Sequence, residues 1–288
     1  GCGLAGYVVE SGKQIIHNRP DMFDAVLQEC DKWTQENFKS YIGIPIIISK
    51  KPVGVLEIFH MSQLSPSPEW LQYLQTLAGQ VAIAIENADL IQDLQQTADD
   101  LKLAYDATIE GWSQAMDLRD KETEGHTQRV TELTMKMAEA IGYPPEEMDH
   151  LRRGALLHDI GKLGVPDYIL RKPGKLDSEE WKLMKQHPVF AYDMLKQVEY
   201  LKPALDIPLY HHEKWDGTGY PEGLAGEEIP LGARIFAFID VWDAVTNDRP
   251  YKEAWSKEKA IALIREDTGT HFDPALTKVF LEIVENMD

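Results

Sequence analysis

Two adjacent histidines open the stretch His211-His212-Glu213-Lys214-Trp215-Asp216-Gly217-Thr218-Gly219-Tyr220-Pro221, and another stands beside an acid at His158-Asp159. A histidine pair followed by a glycine-punctuated acidic loop makes a poor packing element. It suits a metal site with a substrate loop beside it. Five of the nine histidines fall at telling positions in the C-terminal half: His126, His158, His187, His211 and His212. Singly, each would more often be a surface or core histidine than a ligand. Their company shifts that balance. His158 follows Ala155-Leu156-Leu157 and precedes Asp159 and Gly161-Lys162, and Asp240 ends the apolar run Ile235-Phe236-Ala237-Phe238-Ile239. An acid at the end of an apolar segment needs a partner once buried, and a metal ion provides one. Imidazole with carboxylate and no thiolate suits Fe(II), Mn(II) or a similar first-row ion better than structural zinc.

The elements that must position these residues are helices. From about Tyr105 onward the pattern is helix and loop, without strand alternation, so an all-α domain is expected. His126 to Ile141 is amphipathic and stops at Gly142. Pro144-Pro145-Glu146-Glu147 opens a helix expected to run to about Gly161. Asp177 with Glu180 forms a capping-box pattern ahead of a helix from Trp181 to Val198. Pro230 to about Asp248 is helical, Ser256 caps a helix to about Asp267, and Asp273-Pro274 starts the last. Earlier, Glu69 to about Asp117 reads as one long helix, with Leu71, Leu74, Leu77, Val81, Ile85, Leu90, Ile91, Leu94, Ala98, Leu101 and Tyr105 at three-to-four-residue spacing. That seam predicts a parallel coiled-coil homodimer, with packing on flanking domains as the plainer alternative. Residues 1–66 read as mixed α/β. Ile42 to Ser49 and Pro52 to Phe59 are β-rich runs joined by a short polar connector, which predicts a hairpin.

Composition narrows the classes. Hydrophobic residues at 43% and charged residues at 27% suit a soluble globular chain of 288 residues. A formal net charge of −19 argues against a nucleic-acid polymer as partner, though metal ions can invert the field of a local pocket. No apolar run reaches the roughly 18 residues that span a bilayer, so no membrane span is expected in this chain. Cys2 and Cys30 are the only cysteines, which offers no disulfide framework and favours a cytoplasmic setting.

The order His126…His158-Asp159…Asp240 resembles the ligand order of the HD phosphohydrolase superfamily. Further stretches resemble its HD-GYP branch: HDIGK at 158–162, His187 in QHP, HHEKWDGTGYP at 211–221, GLAGEEIP at 223–230, ARIFAFIDVWDAV at 233–245 and RPYK at 249–252. The resemblance covers roughly residues 110–288. It implies an all-α HD-type helical bundle whose metal ligands are Glu122, His126, His158, Asp159, His187, His211, His212 and Asp240, with Asp159 bridging. Two or three divalent ions are implied, the third resting on Glu122, which would share a face with His126 if that segment is helical. The activity implied is hydrolysis of cyclic di-GMP to linear pGpG, ending there or continuing to GMP. Such ions lower the pKa of water and neutralise phosphate oxygens during in-line displacement. Asp159 and Lys162 are the implied catalytic residues, with Lys162 contacting phosphate, assisting proton transfer or pairing with a ligand carboxylate.

Gly219, Tyr220 and Pro221 would line the nucleotide pocket, with Tyr220 presented outward, and Arg249 and Lys252 would bind the ring phosphates. Residues ahead of the long helix resemble the second half of a GAF domain, a small-ligand sensor fold whose ligand is unknown here. A whole GAF domain would need more chain before Gly1, so the resemblance implies a start inside the domain. The expected layout is a partial GAF-like α/β sensor at 1–68, a connecting helix at 69–108 and the HD-GYP domain at 109–288. Two other functions stay open: a non-catalytic cyclic-dinucleotide receptor, and a phosphodiesterase for a hybrid cyclic dinucleotide. The intact ligand series argues against a receptor.

Overall fold

The structure, a computed structural model, describes residues 3–18, 38–120, 125–248 and 253–287. The chain forms two compact units, Gly1–Leu101 and Lys102–Asp288.

In the first unit, helix α1 (Gly3–Ser11) leads to β1 (Ile15–His17), β2 (Ser40–Ile48) and β3 (Lys51–His60). They form an antiparallel sheet in the order β1-β2-β3. The expected hairpin is present, with Ile42 opposite Ile58 and Ile44 opposite Leu56. Its two-residue turn places Ser49 and Lys50 at φ 47 and 68. Positive φ at both central residues is what the twist of a tight hairpin requires. Ile42, Ile44 and Ile46 point to one face of the sheet and bury against Leu74, Ala78 and Ala82. Those three sit four residues apart on one stripe of α2, a 53-residue helix spanning Pro68–Asp120. Further along α2, Leu90, Ile91, Leu94 and Leu101 are more than half exposed.

The second unit is helical among its described residues. Helix α3 (His126–Ile141) is followed by α4 (Met148–Leu156), short α5 (Asp167–Leu170), α6 (Ser178–Met184), α7 (His187–Leu195), α8 (Asp206–Tyr210), α9 (Leu231–Thr246), α10 (Lys257–Glu266) and α11 (Pro274–Glu285). Helix α3 stops as its sequence predicts: Gly142 takes φ 72, and its N–H and that of Tyr143 bond back to Glu139 and Ala138 carbonyls. The capping box before α6 forms, with Asp177 accepting from Glu179 and Glu180. Ser256 and Asp273 cap α10 and α11.

Two expected helices are shorter than their patterns suggest. The segment from Pro145 does not run to Gly161; α4 ends at Leu156, and His158-Asp159 occupies the turn before a 3-10 segment, Ile160–Gly164. The stretch from Trp181 to Val198 divides at Lys185-Gln186, where Pro188 falls in the first turn of α7. Apolar spacing continues through the first break because Leu157 and His158 in the turn are themselves buried, whereas Lys185 and Gln186 at the second are exposed.

Helix α9 is buried nearly all round, from Ile235 to Ile239 and at Trp242, Asp243 and Val245. Together with Val130, Leu133 and Met137 of α3 and Phe272 and Phe280 it builds the main core. Each such large side chain contributes roughly 1.5–3 kcal/mol on burial, so α9 is a rigid beam for the acids it carries. A second cluster joins Ile109 and Met116 of α2 to Leu157, Ile160, Ala191 and Leu195, and fixes the His158-Asp159 turn from below.

Candidate metal centre

The turn carrying His158 and Asp159 lies hard against α7, and Gly161 is what allows it. A Cβ at Gly161 would sit 1.8 Å from the His187 carbonyl oxygen and 2.5 Å from the Ala191 nitrogen. No larger residue fits that approach, which draws His187 to Asp159. A second close approach shapes the loop after α8. A Cβ at Gly219 would meet the Glu213 Cα and Lys214 nitrogen at 2.4 Å, so the loop doubles back onto the His211-His212 turn. Glu213 secures it: its buried carboxylate accepts the backbone N–H groups of Glu222 and Gly223 at 2.8 and 3.0 Å.

These folds bring seven of the sequence-singled residues together. His126, His158 and Asp240 form one group and His187, His211 and His212 another, each with its ligand-type atoms mutually within 4.8 Å. Asp159 stands between the groups. Its Oδ2 lies 3.1 Å from His158 Nε2, and its Oδ1 lies 3.3 Å from His187 Nε2 and 3.8 Å from His211 Nε2. One carboxylate oxygen thus faces each group.

The imidazoles are held in a defined tautomer. His158, His187 and His211 place Nδ1 at 2.9, 2.8 and 2.9 Å from the carbonyls of Ala155, Met184 and Ile207. A carbonyl only accepts, so each Nδ1 carries a proton and each Nε2 is turned inward. Burial pushes His211 and His212 well below the usual imidazole range, with neighbouring imidazoles adding to it, and burial also lowers His187. These rings are neutral. His187 Nε2 and His211 Nε2 then face each other lone pair to lone pair at 3.3 Å. His158 Nε2 is buried without a hydrogen-bond partner, since its contact to Asp159 lacks hydrogen-bonding geometry. Burial pulls His158 down, but Asp159 and Asp240 outweigh it and push it up to about 9. The facing Nε2 atoms, the unpartnered His158 Nε2 and the Asp159 carboxylate call for a cation at the point where they converge. The residues fit divalent ions with nitrogen and oxygen ligands.

Lys162 donates to Asp159 Oδ2 at 2.7 Å and to Asp120 Oδ2 at 2.5 Å. The carboxylate pairing among its three readings is therefore the contact present. Burial raises the Asp159 carboxyl, but Lys162, His158 and His187 outweigh it and hold it well below the usual range. Arg119 fixes the end of α2 to the same loop through the carbonyls of Lys162 and Val165.

Tyr220 does not project outward. Its ring stacks on His212 at 4.7 Å and 29°, with Lys185 Nζ 5.0 Å from its centroid. The Tyr220-Pro221 peptide is cis. Glu122, Arg249 and Lys252 lie outside the described residues. The helix bearing His126 begins at that residue, behind Gly125 at φ 76. Sequence reasoning missed Asp243, Arg129 and Glu213. Asp243 one turn beyond Asp240, and Arg129 one turn beyond His126, were available as signals in the spacing.

The chain belongs to the HD domain family, whose model matches residues 112–276, and residues 1–86 match the GAF domain model. It is similar to a cyclic di-GMP phosphodiesterase of Vibrio cholerae, 40% identical over 218 residues, which is 70% of this chain and 44% of the relative. It is also similar to the 3'3'-cGAMP-specific phosphodiesterase 2 of that organism, 36% identical over 204 residues, covering 70% of this chain and 38% of the relative. The chain thus spans less than half the length of these curated relatives. In fold it resembles the crystal structure of a cyclic GMP-AMP-specific phosphodiesterase from V. cholerae, with a TM-score of 0.50 and 21% identity over 62% of this chain and 48% of that one.

Proposed function

We propose that the helical unit is a metal-dependent phosphodiesterase that hydrolyses cyclic di-GMP to linear pGpG, ending there or continuing to GMP. The observation that carries this reading is Asp159 offering one oxygen to each of two inward-facing ligand groups. Glu122, His126, His158, Asp159, His187, His211, His212 and Asp240 would hold two or three ions, with Fe(II) or Mn(II) suiting the donor set. When bound, such ions supply positive charge for the phosphate oxygens and a lowered pKa for the attacking water. The chain's own residues do the rest. The backbone carbonyls behind the histidines fix their tautomers, and Lys162 holds the Asp159 carboxylate in place. The Tyr220 ring, anchored on His212 and carried by Gly219 and Pro221, offers an aromatic surface beside the reacting phosphate. Arg249 and Lys252 are assigned the remaining ring phosphate, where the Arg fork gives bidentate contact.

Asp159→Ala removes the residue shared by both groups and is expected to abolish turnover followed by chromatography of the nucleotide products. Undiminished hydrolysis by that variant would overturn the reading. Running 3'3'-cGAMP alongside cyclic di-GMP tests the substrate assignment, since the relatives are named for both.

The same reading covers the rest of the chain. A sensor at 1–68, a connecting helix at 69–108 and the catalytic domain at 109–288 would work as a cytoplasmic homodimer, paired in parallel through Leu90, Ile91, Leu94 and Leu101 of α2. Exposed apolar residues on a helix favour such burial. A small molecule bound by the GAF domain would regulate hydrolysis. A monomer by light scattering would refute the pairing.

A further inference from the structure

One histidine of the centre is backed differently from its neighbours. His158, His187 and His211 each donate Nδ1–H to a backbone carbonyl, whereas His126 Nδ1 meets a carboxylate, Asp243 Oδ2, at 2.6 Å. Asp243 is buried, at 5% exposure, and is itself held from several sides. Arg129 donates from Nε to Oδ1 at 2.7 Å and from Nη2 to Oδ2 at 3.0 Å, and Asn247 Nδ2 donates to Oδ1 at 2.9 Å. The carboxylate therefore cannot rotate away from the imidazole. It also sits one turn beyond Asp240 on α9, so one rigid helix supplies a ligand and the group behind another ligand of the same cluster.

A carboxylate behind an imidazole does more than a carbonyl does. Its full negative charge draws the Nδ1 proton and raises electron density at Nε2, making the ring a stronger donor to a metal ion. We propose that Asp243 is a positioning residue for His126 and strengthens ion binding at the His126–His158–Asp240 cluster in particular. The two clusters are then unequal: one ion is held through a carboxylate-backed imidazole, and the other through imidazoles backed by neutral carbonyls where that partner is defined. This rests on the metal-centre reading of the helical unit.

The test is Mn(II) binding to the full chain, measured by competition with a chromophoric chelator, together with the count of bound ions by elemental analysis. Asp243→Asn, which keeps volume but removes the charge, is expected to weaken one equivalent about 10- to 100-fold and leave another within about threefold of wild type. Arg129→Lys, which keeps a cation beside Asp243 but removes the two-point contact that holds the carboxylate, is expected to weaken the same equivalent by a smaller factor, about three- to tenfold, and to leave the other within about threefold of wild type. It also reports on the device should the first variant fold poorly. Equal weakening of all equivalents in either variant, no weakening in either, or a loss in Arg129→Lys confined to the other equivalent would overturn the proposal while the metal-centre reading stands. A wild-type chain that binds no Mn(II) would overturn both.

Discussion

Gly161→Ala tests how tightly the site depends on one close approach. The added Cβ would stand 1.8 Å from the His187 carbonyl oxygen and 2.5 Å from the Ala191 nitrogen, both backbone atoms that cannot swing aside. Separation to an ordinary contact requires α7 or the His158-Asp159 turn to shift by more than about 1 Å, beyond the scale on which packed interiors yield. Overpacking of this kind costs about 1–3 kcal/mol, and a backbone clash places it at the upper end. The same shift carries His187 Nε2 away from Asp159 Oδ1, now 3.3 Å distant. A misplacement of about 1 Å at a reacting centre can cost about 100-fold in rate. Gly111→Ala is the matched control: it lies within α2 with nothing inside 4 Å of the added Cβ, so it should stabilise by about 0.5–1 kcal/mol and leave turnover unchanged. Urea unfolding and initial rates on both variants decide the matter. Wild-type stability and turnover in Gly161→Ala would refute the claim that this glycine sets the distance between the two ligand groups.

Two further outcomes follow from other parts of the helical unit. Burial, aided by Lys214, pushes His271 down to about 4, so the folded protein binds this proton less readily than the unfolded chain, where His titrates near 6.5. The contribution of neutral His271 is thus fully present above about pH 6.5 and is lost as pH falls toward 4. On the order of 3 kcal/mol is at stake, and the urea midpoint of His271→Phe should depend less steeply on pH across that window; identical slopes would contradict this. At the substrate edge, Tyr220→Phe keeps the ring on His212 and should turn over within a few-fold of wild type, whereas Tyr220→Ala should raise KM about tenfold or more, as loss of aromatic stacking on a base predicts. Equal KM values for the two variants would remove the ring from the binding account.

Much of the scaffold is legible in local patterns because local physics decides it. The stop at Gly142, the Asp177 capping box, the Ser256 and Asp273 caps and the hairpin at Ser49-Lys50 each involve residues only a few positions apart. The ends of α4 and the break before α7 are not written that way. Leu157 and Ile160 keep the apolar rhythm of a helix while the backbone between them turns, because burial against Ile109 and Met116 rewards the turn. At the site, His126, His158, Asp159, His187, His211, His212 and Asp240 can be singled out from residue type and company, and the fold brings all seven together. Asp243 and Glu213 escaped notice since an acid within a helix or beside a histidine reads as solvated charge. Only tertiary packing makes Asp243 the support of an imidazole 117 residues away, and Glu213 the clamp of its own loop.

The central claim is that this centre holds divalent ions and uses them on a cyclic dinucleotide. Its most direct test is elemental analysis of the anaerobically purified full chain, with the same sample assayed chromatographically on cyclic di-GMP. The account predicts two or three equivalents of Fe or Mn and a linear nucleotide product. Metal-free protein that binds the nucleotide tightly without turning it over would contradict it.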